Sequence, residues 1–312
     1  MPTAPAPALT RRELARLLSR IENGQAAADL ARLYAVTGQA HVIGVTGAPG
    51  TGKSSLVNAL TLYFRQSQPG ITVAILAVDP SSPFSGGALL GDRIRMRDLA
   101  GDGGVFIRSM ATRGMLGGLA PTTADAIRAF DAAGFTRIIV ETVGAGQSEI
   151  DIARMAQTTL VIEAPGMGDD VQANKAGVLE IADILVVNKA DRPDADNTVR
   201  ALQAMLELGH RADWLPPIVP TIATGSGTPA PGITELAARI DAHRAFLLTE
   251  GRLVQRERAQ LQAELFARLR DSLLAALLDR LEPGALDAIL THLTTRRIDP
   301  ETAVRQLLDY LP

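Results

Sequence analysis

The residues most able to do chemistry stand at 47–54. Gly47-Ala48-Pro49-Gly50-Thr51-Gly52-Lys53-Ser54 follows the apolar run Val42-Ile43-Gly44-Val45 and precedes the helix-like Ser55-Leu56-Val57-Asn58-Ala59-Leu60. A G-x-x-x-x-G-K-S pattern between a strand and a helix is the setting a phosphate-binding loop requires. Its glycines let successive backbone N–H groups point inward as an anion nest, and the helix beginning near Lys53 adds the positive end of its dipole. Lys53 is expected to reach the β- and γ-phosphates, and the Ser54 hydroxyl to ligate Mg²⁺. Residues 47–55, Ser55 included, form the first half of a candidate nucleotide site.

The second half comes from Asn188-Lys189-Ala190-Asp191, after the apolar stretch 183–187. A carboxylate only accepts hydrogen bonds. Guanine offers it two adjacent donors, whereas adenine offers a ring-nitrogen acceptor, so Asp191 selects guanine at a few kcal/mol. Asn188 is expected to tie this loop to the phosphate loop, and the Lys189 stem to cover the base. By order along the chain, Ala223, Thr224 and Gly225 meet the guanine carbonyl through their backbone.

Metal and catalytic candidates sit at other strand ends. Asp79, and Asp92 in the long loop after it, could reach Mg²⁺ directly or through water. Glu141 closes a strand where a metal-organising carboxylate is expected. Gly144 can bring its N–H to the γ-phosphate without a clashing Cβ. Lys53, Asp92, Glu141 and Gly144 are the catalytic candidates; Ser54, Asp79, Asp92 and Glu141 are the metal candidates. Arg93, Arg95, Arg108 and Arg113 cluster in stretches read as loops around the γ-phosphate. No glutamine directly follows Gly144, where many GTPases orient the attacking water; the nearest is Gln147.

These residues need a scaffold. Apolar strand candidates at 42–46, 71–78, 104–107, 135–141, 158–163, 183–187 and 218–222 alternate with helical patterns. That predicts an α/β protein: a mostly parallel sheet covered by helices, with ligands beyond the carboxyl ends of the strands. Residues 1–38 read as an N-terminal helical extension, 39–249 as the nucleotide-binding domain, and 250–312 as a C-terminal helical arm. In the arm Leu269, Leu273, Leu277 and Leu281 align, with Leu274 and Leu278 beside them; such a stripe more often packs as core than as interface. Asp241-Ala242-His243 opens like a D-x-H-x-x-G cobalamin loop, but Phe246 stands where glycine is needed, and it reads as a solvated helix face.

Composition narrows the classes. The chain has 312 residues, 46% of them hydrophobic, a formal net charge of −3, no cysteine and four scattered histidines. Disulfides and thiolate metal sites are excluded. Nucleic acid and anionic membrane are not expected partners. The N-terminus lacks the pattern of a signal peptide and no apolar run approaches a membrane span, so a cytoplasmic protein is expected.

The order and wording of the motifs resemble a known family, the GTPases associated with methylmalonyl-CoA mutase (the MeaB/ArgK group of the SIMIBI class). The resemblance runs through Ile21-Glu22-Asn23-Gly24, GAPGTGKSSL, DPSSPFSGGALLGDRIRM, FIRSMATRGMLGGLA, ETVGAGQSE, NKAD and Ile298-Asp299-Pro300-Glu301-Thr302-Ala303. It implies a GTP/GDP- and Mg²⁺-dependent chaperone that gates cofactor loading of an adenosylcobalamin-dependent acyl-CoA mutase and protects it, as a homodimer through the arm. Carried over, Lys53, Ser54, Asp79, Asp92 and Glu141 belong to the phosphate and Mg²⁺ site, and Asp191 to the base. Residues 165–177 resemble a partner-sensing loop, with Ala173-Asn174 where the family usually has Gly-Ile and Ala176 in place of a second lysine. Slow intrinsic turnover is expected, because no arginine or glutamine occupies an obvious finger or water-orienting position. A transport-associated kinase or ATPase, a nickel-delivery GTPase and a non-hydrolysing GTP binder are the rival readings; Asp191 disfavours the first, and the absence of cysteines and histidine tracts the second.

Overall fold

A computed structural model describes residues 9–80, 96–99, 101–112, 120–142, 148–166, 180–208, 213–224 and 229–310. Seven strands form one sheet: β1 (His41–Thr46), β2 (Val73–Pro80), β3 (Val105–Thr112), β4 (Arg137–Thr142), β5 (Thr158–Glu163), β6 (Ile184–Asn188) and β7 (Ile218–Thr221). Their spatial order is β3-β2-β4-β1-β5-β6-β7, and every pairing is parallel. The central strands read as unbroken apolar runs because both of their faces are covered. β1 and β4 are buried along their whole length.

The helices are α1 (Arg11–Glu22), α2 (Ala27–Leu33), α3 (Lys53–Ser67), α4 (Ala120–Ala132), α5 (Ser148–Ala153), α6 (Ala195–Leu208), α7 (Ile233–Leu248), α8 (Arg252–Arg280), α9 (Ala285–Thr294) and α10 (Pro300–Leu308). One sheet face packs on α3 and α7 through Leu56, Leu60, Phe64, Leu236 and Ile240. The other packs on α1, α4 and α5 through Leu14, Leu18, Phe130 and Ile152. The N-terminal extension is thus part of the core. Its start is fixed by a capping box, with Thr10 accepting from the Glu13 N–H and Glu13 accepting from the Thr10 N–H, a device worth about 1 kcal/mol.

Three expectations change here. The stretch at 104–107 is only the start of β3, which runs eight residues along the sheet edge. Arg108 lies within that strand and pairs with Glu22 of α1 at 2.7 Å, so it is not a loop arginine facing phosphate. The Asp241–His243 face is not solvated. His243 is 1% exposed, its Nδ1 lies 2.9 Å from Thr158 Oγ1, and its Nε2 lies 3.3 Å from Asp183. His41 Nε2 lies 2.8 Å from the same threonine oxygen. With Nε2–H of His243 donating to Asp183, Thr158 donates to Nδ1 and accepts from His41, which sets both tautomers. Arg256 clamps Asp183 with two bonds of 3.0 and 2.8 Å. This network braces the ends of β1 and β5 remote from the phosphate loop. Burial pushes the His41 pKa down to about 2, with Arg244 and Arg137 adding to the effect; burial lowers that of His243 too, partly offset by Asp183.

The chain divides into two compact units, Met1–Gln260 and Leu261–Pro312, with the break inside α8. In the second unit α10 is capped by Asp299, which accepts from the Glu301 and Thr302 N–H groups, with Pro300 at the first helical position. The leucine stripe is not a core: Leu277 is buried, but Leu269, Leu273, Leu274 and Leu278 are 40–49% exposed. Among the described residues no helix is long and apolar enough to cross a membrane.

Candidate functional site

β1 ends at Thr46 between β4 and β5, and the chain turns at once through the glycine loop into α3. Two glycines are dictated by what surrounds them. Gly47 has φ +142°, and a Cβ there would lie 2.2 Å from the Ile162 carbonyl oxygen of β5. Gly52 has φ +92°, and a Cβ would lie 2.5 Å from Asn188 Nδ2. No L side chain fits either place, so the motif's glycines are steric requirements of the strand–loop–helix turn.

Lys53 is buried, and its ammonium donates to the Gly47 and Ala48 carbonyls at 2.7 and 3.1 Å. The lysine therefore lies across the loop that is expected to hold phosphates. Thr51 steadies the same turn by donating to Ala48 at 2.9 Å. Ser54, the next residue of α3, donates its hydroxyl to Glu141 Oε1 at 2.6 Å. β4 places Glu141 there by register, opposite Val45 of β1 and Ala77 of β2. A buried serine and carboxylate in contact supply the hard oxygen donors that Mg²⁺ prefers. Mg²⁺ also keeps waters and phosphate oxygens, so it does not need an all-protein cage. Among the described residues no group of three or more His, Cys, Asp or Glu side chains is arranged to hold a metal.

β6 delivers the base-recognition loop. Asn188 is 2% exposed, and its amide donates to the Thr51 carbonyl at 2.8 Å. Its oxygen accepts from Thr221 Oγ1 at 3.2 Å and from the Ala223 N–H at 3.1 Å. One side chain thereby ties the phosphate loop, the end of β6 and the loop after β7 together. Lys189, at φ 59°, spans the gap a second time with a 2.6 Å bond from Nζ to the Gly50 carbonyl. Asp191, Thr224, Pro49 and Gly50 are exposed, while Ala48, Ser55 and Ala223 are half-buried, so the cleft edge is open to a ligand.

The residues expected at 47–55, Glu141, Asn188, Lys189, Asp191, Ala223 and Thr224 thus stand at neighbouring strand ends. Asp79 ends β2 beside Ala111 of β3, and its side chain lies outside the described residues. Asp92, Gly144, Gly225, Arg93, Arg95, Arg113 and Gln147 lie outside them as well. The resembling loop at 165–177 is described only at Pro165 and Gly166. The expected tie from Asn188 to the phosphate loop runs to the Thr51 carbonyl; sequence reasoning missed Thr221 as a partner of Asn188, an ordinary threonine whose role appears only when β6 and β7 pair.

A glycine loop at the central strand of a parallel sheet, a lysine and serine opening the next helix, and an N-K-x-D loop tied to it define a guanine-nucleotide-binding P-loop protein. The model of the family described as "Methylmalonyl Co-A mutase-associated GTPase MeaB" matches residues 14–282, and the chain belongs to that family of GTPases. It is 48% identical over 261 residues to a protein of Pyrococcus horikoshii named as a GTPase, covering 82% of this chain and 80% of the other. It is 35% identical over 223 residues to the mouse "Methylmalonic aciduria type A homolog, mitochondrial", covering 70% of this chain and 52% of the mouse protein. Among solved structures, one titled "Crystal structure of LAO/AO transport system kinase" superposes with a TM-score of 0.74 at 27% identity, covering 97% of this chain and 94% of that one.

Proposed function

We propose that this GTPase is a nucleotide-driven chaperone of an adenosylcobalamin-dependent acyl-CoA mutase, methylmalonyl-CoA mutase being the first client to test. The observation that carries the reading is the match of the mutase-associated family model over residues 14–282, which takes in every described site residue. The site chemistry suits it. Ser54 and Glu141 would hold Mg²⁺, with Asp79 of β2 and Asp92 of the stretch after it contributing, and the ion would neutralise charge on the transferred phosphoryl group. Lys53 would exchange its two carbonyl partners for phosphate oxygens, and Gly144 would offer its N–H to the γ-phosphate. Gly225 joins Ala223 and Thr224 around the base. Catalysis would rest on positioning and charge rather than on a covalent step.

The exposed leucines of the second unit support a homodimer formed through that arm, since large apolar patches on a free surface mark interaction sites. Steady-state GTP turnover with and without purified mutase tests the proposal. A client should raise the rate, because a group supplied on complex formation is typically worth about 10³–10⁵. An unchanged rate across adenosylcobalamin-dependent acyl-CoA mutases, with GTP binding intact, would reject the chaperone reading. The kinase title of the solved relative motivates a second readout, the transfer of labelled γ-phosphate to protein rather than water.

A further inference from the structure

An open groove of about 990 Å³ runs along the N-terminal helices, away from the nucleotide site, and nothing in the GTPase chemistry uses it. Its walls carry Arg12, Arg16, Arg20, Arg32 and Arg108, five guanidinium groups against the two carboxylates Glu13 and Asp29. Leu9, Ala15 and Leu33 lie half-buried among them. Three of the arginines are engaged: Arg20 and Arg32 share Asp29 at 2.9 and 2.6 Å, and Arg108 is held by Glu22 at 2.7 Å. Arg12 and Arg16 make no hydrogen bond or ion pair among the described residues, and both are exposed. Four residues apart on α1, they project from the same face. A chain with net charge −3 therefore concentrates unneutralised positive charge on one concave surface with an apolar floor.

We propose that this groove docks an acidic, leucine-containing peptide segment of a partner protein. Planar guanidinium groups match carboxylates in two-point contacts, and the half-buried apolar side chains supply the surface that a segment alternating acidic and apolar residues would cover. Met1 to Ala8 contain no carboxylate side chain and so lack the chemistry of the proposed occupant. A polyphosphate is disfavoured because Glu13 and Asp29 interrupt the positive surface, and no exposed aromatic platform lines it. The proposal stands apart from the mutase reading: it identifies the partner by chemistry alone.

The test uses the full-length protein and a fluorescein-labelled peptide alternating glutamate and leucine, followed by polarisation at low salt. The double variant Arg12→Glu/Arg16→Glu reverses the charge of two exposed side chains that make no hydrogen bond or ion pair among the described residues, Arg16 meeting only the charge of the exposed Glu13, so its thermal midpoint should change little and its GDP affinity should match the parent. Peptide affinity should fall about tenfold or more in the variant, and in the parent should weaken as salt rises past about 0.1 M. Equal peptide binding by parent and variant, or none by the parent, overturns the proposal. So does a single-stranded oligonucleotide that binds as tightly as the peptide and is lost in the same variant, which would make the groove a phosphate-binding surface.

Discussion

Replacing Asn188 by alanine should cost the protein far more than one side chain's worth of packing. Asn188 makes three hydrogen bonds, and its removal strands the Thr51 carbonyl, the Thr221 hydroxyl and the Ala223 N–H together. The first two bonds are buried. At about 1–3 kcal/mol for each buried group left unpaired, with the half-buried Ala223 at the low end, the expected loss is about 3–7 kcal/mol. That is a large part of the stability of an ordinary domain, about 5–15 kcal/mol. The assay is urea unfolding followed by the single tryptophan. Trp214 packs against His243 and Phe246 and so reports on the fold rather than on the nucleotide site. Asn188→Asp separates the two halves of the contact: it keeps the acceptors for Thr221 and Ala223 but sets a carboxylate oxygen against the Thr51 carbonyl. Its GDP affinity should fall at least tenfold, because the phosphate loop loses its tie to the base loop. A loss below about 1 kcal/mol in the alanine variant, with GDP affinity unchanged in both, would refute the claim that this residue couples the two halves of the site.

Lys53→Ala should abolish measurable GTP affinity in calorimetric titration, since its buried ammonium lies across the phosphate loop; intact binding would contradict the site. The buried histidines predict acid lability. His41 has a folded pKa of about 2 against 6.5 in the unfolded chain, so its contribution is full above pH 6.5 and is lost as pH falls toward 2. Between pH 7 and pH 5 that is about 2 kcal/mol, with His243 adding in the same direction. His41→Asn should flatten the urea-midpoint profile over that range, and an unchanged slope would contradict the assignment. In the arm, Leu269→Asp/Leu273→Asp should halve the mass seen by light scattering if the exposed leucines hold two copies together; a mass unaffected by the change would reject that interface.

The strand ends were legible because parallel strands covered on both faces are forced to be apolar, so each ends visibly where a polar residue such as Thr46, Glu141 or Asn188 breaks the run, although all three are themselves buried. The steric demands on Gly47 and Gly52 made the loop equally plain. What escaped depends on contacts distant in sequence. β3 is an edge strand whose Arg108 and Ser109 interrupt the apolar run, and only the pairing of Arg108 with Glu22, across 86 positions, makes a charged residue acceptable there. His243 looked solvated because its neighbours Asp241 and Arg244 are polar. Its burial depends on Thr158, 85 residues away, and on Asp183, which no local pattern announces. The leucine stripe of α8 misled in the opposite sense. Its spacing fits a core, yet four of its leucines stay exposed in the chain by itself.

The most direct measurement is the affinity of the purified protein for GTP against ATP in the presence of Mg²⁺, repeated with Asp191→Asn. An exposed carboxylate in the loop after β6, waiting on the two donors of a guanine edge, predicts that GTP binds at least a hundredfold more tightly and that the substitution erodes most of that preference. Equal affinities for the two nucleotides in the unmutated protein, or tighter binding of ATP, would contradict the account at its centre.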